Sequence, residues 1–106
     1  MSERRHRIGS LADFPAGVAH RVEVDRHPIA VVRIDDDLYA IGDTCTHQRI
    51  SLSEGDVHED ERTLECWKHG SAFSLETGEA LTLPATRPVP SYEVRVEGDE
   101  IVVVME

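Results

Sequence analysis

No stretch of this chain repeats its apolar residues at a helical spacing, which argues against a helical bundle. What recurs is a short apolar or alternating run, closed each time by turn-forming residues. His20 to Asp25 (HRVEVD) alternates as a half-buried strand does; Ile29 to Ile34 (IAVVRI) is β-branched, and Leu38 to Ile41 (LYAI) follows it. The triplet Asp35-Asp36-Asp37 between the last two reads as a hairpin tip, because aspartate tolerates turn conformations and resists burial. Thr63 to Cys66 and Ala72 to Glu76 are further strands, and Thr77-Gly78-Glu79 turns the chain before Ala80 to Leu83. Ser91 to Glu97 and Ile101 to Met105 are joined across Gly98-Asp99, a strong hairpin signal. Ser10 to Gly17 (SLADFPAG) has room for one helical turn at most, since Pro15 and Gly17 stop it. The expectation is an all-β fold, an antiparallel β-sandwich or small barrel, in one domain over residues 1–106.

A net charge of −10 repels nucleic-acid phosphates, so nucleic acid is not an expected partner. The charged start MSERRHRIGS is followed by LADFPAG where a signal peptide would have its apolar core. The longest apolar run, Ile101 to Met105, is far too short to cross a bilayer. These features predict a cytoplasmic protein with no membrane partner, in a compartment that keeps thiols reduced. The chain's two cysteines are then metal ligands rather than a disulfide.

Each cysteine has a histidine beside it, as Cys45-x-His47 and Cys66-x-x-His69, and both pairs fall where a predicted strand runs out. Two loops at one end of a β-scaffold can converge on one object. Zinc would accept these four side chains as a closed Cys2His2 site. Structural zinc sites usually group cysteines with cysteines and histidines with histidines, whereas each loop here offers one of each. That distribution suits a two-iron cluster in which one iron takes both thiolates and the other both imidazoles. His6, His20, His27 and His58 have no such partner in sequence and read as surface or turn residues, His58 on a solvated tip at Val57 to Glu61. No nucleotide-binding glycine loop and no nucleophile/base pair is visible, so no catalytic residue is assigned.

The pattern C-x-H…C-x-x-H, with LSEG after the first pair and HGSAF, TGEA and LP around and after the second, resembles the Rieske-type ferredoxins of bacterial ring-hydroxylating dioxygenases. The resemblance runs from about Ile8 to the terminal hairpin. It implies one Rieske [2Fe-2S] cluster, with Cys45 and Cys66 on a buried iron and His47 and His69 on the outer iron that accepts the electron. It places Trp67, Gly70, Ser71 and Pro84 around the cluster, Pro84 within a third, proline-stiffened loop from Leu83 to Pro90. High-potential relatives brace the two loops with an extra disulfide; Ile50 and Lys68 stand at those positions here, so no brace can form. Such relatives also place a serine and a tyrosine after the second histidine as hydrogen-bond donors to the cluster, where this chain has Ser71 and Phe73. A low potential follows, near the bottom of a span of about −150 to +300 mV.

The implied function is a soluble, monomeric one-electron carrier between a flavin-dependent ferredoxin reductase and a terminal oxygenase, not an enzyme in its own right. The 106 residues leave no room for a catalytic iron domain. Two other readings remain: a small Rieske subunit of a larger enzyme, similar to that of some nitrite reductases, and a zinc-stabilised β interaction module. Arg49, Lys68 and Arg87 all belong to the three loops, so the cluster end is expected to be locally basic or mixed.

Overall fold

The strands form where the apolar runs predict them, with two additions and one shortfall, since Ala80 to Leu83 contributes only an isolated bridge from Ala80 to Phe73. The computed structural model describes residues 4–45, 50–68, 70–83 and 85–105. Within them the strands are β1 (Arg4–Ser10), β2 (Ala19–Val24), β3 (His27–Ile34), β4 (Asp37–Gly42), β5 (Asp56–His58), β6 (Thr63–Glu65), β7 (Ala72–Ser74), β8 (Ser91–Glu97) and β9 (Glu100–Met105). Single 3-10 turns at Leu11–Asp13 and Leu52–Glu54 are the helical elements among the described residues. One antiparallel sheet has six strands in the order β1-β9-β8-β4-β3-β2, and a second has three in the order β5-β6-β7.

β3 explains why its sequence is a continuous apolar run rather than an alternation. Ile29 and Val31 point into one buried cluster with Phe14, Val24, Ala40, Ile101 and Val103. Ala30, Val32 and Ile34 point the other way, into a cluster shared with Leu52, Leu64, Phe73 and Leu75 of the three-stranded side. A central strand buried on both faces has no polar side to show. β1 and β2 are the two edges of the six-stranded sheet, yet Arg4 reaches Asp25 at 2.6 Å, so the sheet curls into a half-barrel.

The hairpins follow turn chemistry. Gly98 takes φ +66° between β8 and β9, and Asp35 takes φ +53° between β3 and β4, as their sequence signals suggest. Asp25 and Arg26 both take positive φ between β2 and β3, the requirement of a tight two-residue turn met without glycine.

The two additions are β1 and β5. The arginine-rich segment Arg4–Ser10 shows no strand pattern, but it pairs with β9 and sets Arg5 against Glu97 and Arg7 against Glu100. The expected solvated tip at Val57 to Glu61 is corrected at its start. Val57 and His58 are strand residues paired to β6, and half-buried His58 lies 3.0 Å from Glu65. His6 and His20 are likewise strand residues rather than turn residues, each with a buried Nε2.

Candidate metal centre

β4 carries the chain from the acidic turn to the first cysteine, and its end is held from two sides. Gly42 N–H donates to the Pro90 carbonyl at 2.8 Å, and Asp43 N–H donates to the Pro28 carbonyl at 3.0 Å. Beyond it, Thr44 bridges Ser51, and Cys45 N–H donates to the Ile50 carbonyl at 2.9 Å. Cys45 is buried within this neck. Its expected companion His47 lies outside the described residues, as does Arg49.

β6 delivers the second cysteine. Cys66 N–H donates to the Ser71 carbonyl at 2.7 Å, and Gly70 N–H donates back to the Cys66 carbonyl at 2.9 Å. Gly70 closes this turn at φ +74°, a left-handed conformation that glycine adopts without steric cost. Cys66 and Ser71 are fully buried. The third loop is fastened to the second by hydroxyls. Thr82 Oγ1 accepts Ala72 N–H at 2.8 Å and donates to the Gly70 carbonyl at 3.3 Å. Ser71 Oγ accepts Ala85 N–H at 3.1 Å, which leaves the Ser71 hydroxyl proton to donate elsewhere. His69 and Pro84, both expected here, lie outside the described residues.

Cys45 and Cys66 are free thiols in the same buried cluster, with Leu52, Leu64, Phe73, Ala85 and Val89. Two unbridged thiols at the heads of two converging loops, walled by apolar side chains, fit the thiolate half of the Rieske donor set. Among the described residues, no group of three or more His, Cys, Asp or Glu is placed to hold a metal ion. Ile50 packs against the apolar cluster and Lys68 is exposed, so these two positions form no brace. Phe73 is fully buried as a core aromatic. Trp67, by contrast, is 54% exposed, which assigns it to the surface rather than to packing.

Of two further residues that shape the site, Asp43 gave no motif-level signal and Gly55 gave one only as part of LSEG. Asp43, only 2% exposed, accepts hydrogen bonds from Ser51 Oγ and, at 2.8 Å, from Ser53 N–H. Gly55 lies so close to β6 that a Cβ there would sit 1.8 Å from the Glu65 carbonyl oxygen, one residue before Cys66. This close approach is the physical reason for the glycine of LSEG.

Charge is distributed unevenly about this site. Segments 44–53, 66–75 and 80–92 contain none of the chain's 21 acidic residues. β4 and β6 both start in acidic turns, Asp35–Asp37 and Glu59–Glu61, at their ends away from the cysteines. Arg62 and Asp37 join those two turns at 3.7 Å. At the cysteine end the exposed side chains include Trp67, Lys68, Leu81, Leu83 and Arg87.

A family model described as the Rieske [2Fe-2S] domain matches residues 4–93 of this chain. The 3-phenylpropionate/cinnamic acid dioxygenase ferredoxin subunit of Escherichia coli (strain K12) is 47% identical over 92 residues, 86% of this chain and 84% of that protein. The solved ferredoxin of carbazole 1,9a-dioxygenase from Nocardioides aromaticivorans IC177 superposes with a TM-score of 0.91 at 35% identity, covering 93% of this chain and 95% of its own. A chain from a complex of reduced oxygenase and oxidized ferredoxin in carbazole 1,9a-dioxygenase gives a TM-score of 0.85 at 39% identity, covering 93% of this chain and 91% of that one. A structure named for the small subunit of an NADH-dependent nitrite reductase from Mycobacterium tuberculosis shares the fold, with a TM-score of 0.89 at 22% identity over 100% of this chain and 98% of that one.

Proposed function

This chain belongs to the Rieske [2Fe-2S] domain family, and we propose that it is the ferredoxin of an aromatic-ring-hydroxylating dioxygenase system, taking electrons from a flavin-dependent reductase and passing them one at a time to a terminal oxygenase. It carries one Rieske-type [2Fe-2S] cluster and is an electron-transfer component rather than a catalyst. The observation that carries this reading is the 47% identity to a dioxygenase ferredoxin subunit, with 86% of this chain and 84% of that protein aligned. The likeness to a nitrite reductase small subunit, at 22% identity, carries the fold alone.

In this reading Cys45 and Cys66 hold one iron and His47 and His69 the other. When bound, the cluster supplies a one-electron centre whose imidazole-held iron takes up the charge. The protein's task is to hold it in a dry wall and expose one edge. Leu52, Leu64 and Phe73 supply the wall from behind. The Ser71 hydroxyl, fixed by Ala85 N–H, has its proton free to donate toward a cluster sulfur, while Phe73 donates nothing. One side-chain donor rather than two supports a potential near the low end of the family's span of about −150 to +300 mV.

Docking falls to the exposed rim. Trp67, Leu81 and Leu83 are 54%, 52% and 77% exposed around loops that contain no acid, and Lys68 adds a positive charge beside them. An apolar rim free of carboxylates suits a brief encounter with a partner protein. We place the carrier in the cytoplasm as a monomer; among the described residues no helix is long and apolar enough to cross a membrane.

The test is reconstitution. With a ring-hydroxylating oxygenase, its flavin reductase and NADH, catalytic amounts of this protein should restore substrate-dependent NADH consumption. A tight stoichiometric complex with another redox enzyme, and no turnover with the oxygenase, would overturn the carrier assignment.

A further inference from the structure

Charged residues make up 30% of this chain, yet Asp43 is the one charged side chain buried among the described residues. A carboxylate is removed from water only when other groups replace its hydration. Here the carboxylate's hydrogen-bond and ion-pair partners among the described residues are donors. Ser51 Oγ donates to Oδ2, Ser53 N–H donates to Oδ1 at 2.8 Å, and Arg21 Nε lies 3.4 Å from Oδ2. Ser51 Oγ is also 2.8 Å from Ser53 Oγ. The main chain of Asp43 is held as well, through Pro28 on β3. One residue thus ties the entry of the first cysteine loop to its exit and to the neighbouring strand.

We propose that Asp43 is a positioning residue for the cluster and that its buried negative charge holds the reduction potential down. The proposal rests on the reading of Cys45, two residues away, as a cluster ligand. It adds a role for a residue that is not itself a ligand. Holding Ser51 and Ser53 keeps the neck at Thr44–Ser51 and Cys45–Ile50 closed, so the Cys45 thiolate stays in register. As a fixed charge in a low-dielectric wall, the carboxylate also opposes the arrival of an electron nearby. Arg21 offsets that charge in part. Its side chain is 52% exposed, so solvent and salt weaken its contribution. A disulfide would brace the two loops to each other; Asp43 instead closes the first loop on itself and onto β2, and because it does so with a charge, the closure is coupled to the potential.

Asp43→Asn and Asp43→Ala separate the two effects. Asparagine keeps the shape and an acceptor for Ser53 N–H but removes the charge and the oxygen that faces Ser51 and Arg21; alanine removes every acceptor. Iron and sulfide are first counted in the unaltered protein, and a chain that holds no cluster at that stage defeats the family-based reading of Cys45, not the role of Asp43. Redox titration of the loaded proteins should then show a higher midpoint potential for Asp43→Asn at full iron content. Arg21→Gln should move the midpoint downward by less. Chelator-induced bleaching should run about tenfold faster in Asp43→Ala, the factor carried by one hydrogen bond to a charged group. An Asp43→Asn midpoint equal to that of the unaltered protein would overturn the electrostatic role, and unchanged bleaching in Asp43→Ala would overturn the positioning role. If Asp43→Ala does not fold, Asp43→Asn decides both, since its amide removes the charge and also one of the two accepting oxygens: an unchanged midpoint overturns the electrostatic role and an unchanged bleaching rate the positioning role.

Discussion

The two cysteine loops reach the same buried cluster by different physical means. The first is closed by a charge, the Asp43 carboxylate drawing in Ser51, Ser53 and Arg21. The second is closed by its own backbone and by hydroxyls, through Cys66–Ser71, Gly70–Cys66 and the Ser71 and Thr82 bonds to the third loop. A charge acts over distance and is tuned by its surroundings, whereas a neutral hydrogen bond acts only on the group it reaches. The first loop can therefore tune the site at long range through its charge, while the second acts at short range, through the Ser71 hydroxyl and a rigid presentation of the outer edge.

The largest break in that comparison comes where the loops touch. Gly55→Ala puts a methyl group 1.8 Å from the Glu65 carbonyl and must part the two backbones. A loss of about 2–3 kcal/mol is expected from such overpacking, read as a fall in Tm of about 10 °C or more. An unchanged Tm would mean that the loop bases are not in close approach.

Ser71→Ala comes next and touches only the second loop. It leaves the buried Ala85 N–H without its acceptor, at about 1–3 kcal/mol. Removing the hydroxyl donor should also lower the midpoint potential, the opposite direction from Asp43→Asn. A raised or unchanged midpoint would separate Ser71 from the cluster.

Thr82→Val is milder, because Thr82 is exposed and water can replace its bonds; about 0.5–1.5 kcal/mol is expected. It sharpens the contrast, since amide exchange should quicken at Ala72 and stay unchanged at Ser53 in the first loop. Equal quickening at both would show that the loops open together.

Trp67→Ala should change stability by no more than about 0.5 kcal/mol, as expected for a surface side chain. Its cost should appear instead as slower electron delivery to an oxygenase in stopped-flow mixing, with the potential unaltered.

The smallest effect lies far from the site. Ser10 N–H and Oγ–H both donate to the Asp13 carboxylate at 3.1 Å, and the backbone bond above all holds its pKa below the ordinary value. A carboxyl depressed on folding contributes stability above its unfolded pKa and loses it as pH falls through the lower folded value. Asp13→Asn should therefore show a slightly shallower drop in Tm between neutral pH and pH about 3, while neutral-pH cluster content stays constant.

Much of this molecule could be read from short-range pattern. The central strands β3, β4, β8 and β9, the Asp35 and Gly98 turns and the two cysteines all announce themselves within a few residues. What escaped depends on partners distant in sequence. β1 is a strand because β9 offers an edge and because Asp25, Glu97 and Glu100 receive its arginines, none of which RRHRIGS reveals. His58 leaves the solvated tip because β6 pairs with it and brings Glu65 alongside. Asp43 looked like one more acid in an acidic chain. Only the fold brings Arg21 and Pro28 to it from β2 and β3 and marks it as the buried one.

The central claim is that Cys45, His47, Cys66 and His69 hold one cluster whose two irons have different ligands. EPR of the dithionite-reduced protein tests it most directly. A rhombic spectrum with an average g below the free-electron value, lost in His47→Cys or His69→Cys, is the predicted result. A silent protein after reconstitution with iron and sulfide, or a spectrum unchanged by either substitution, would contradict it.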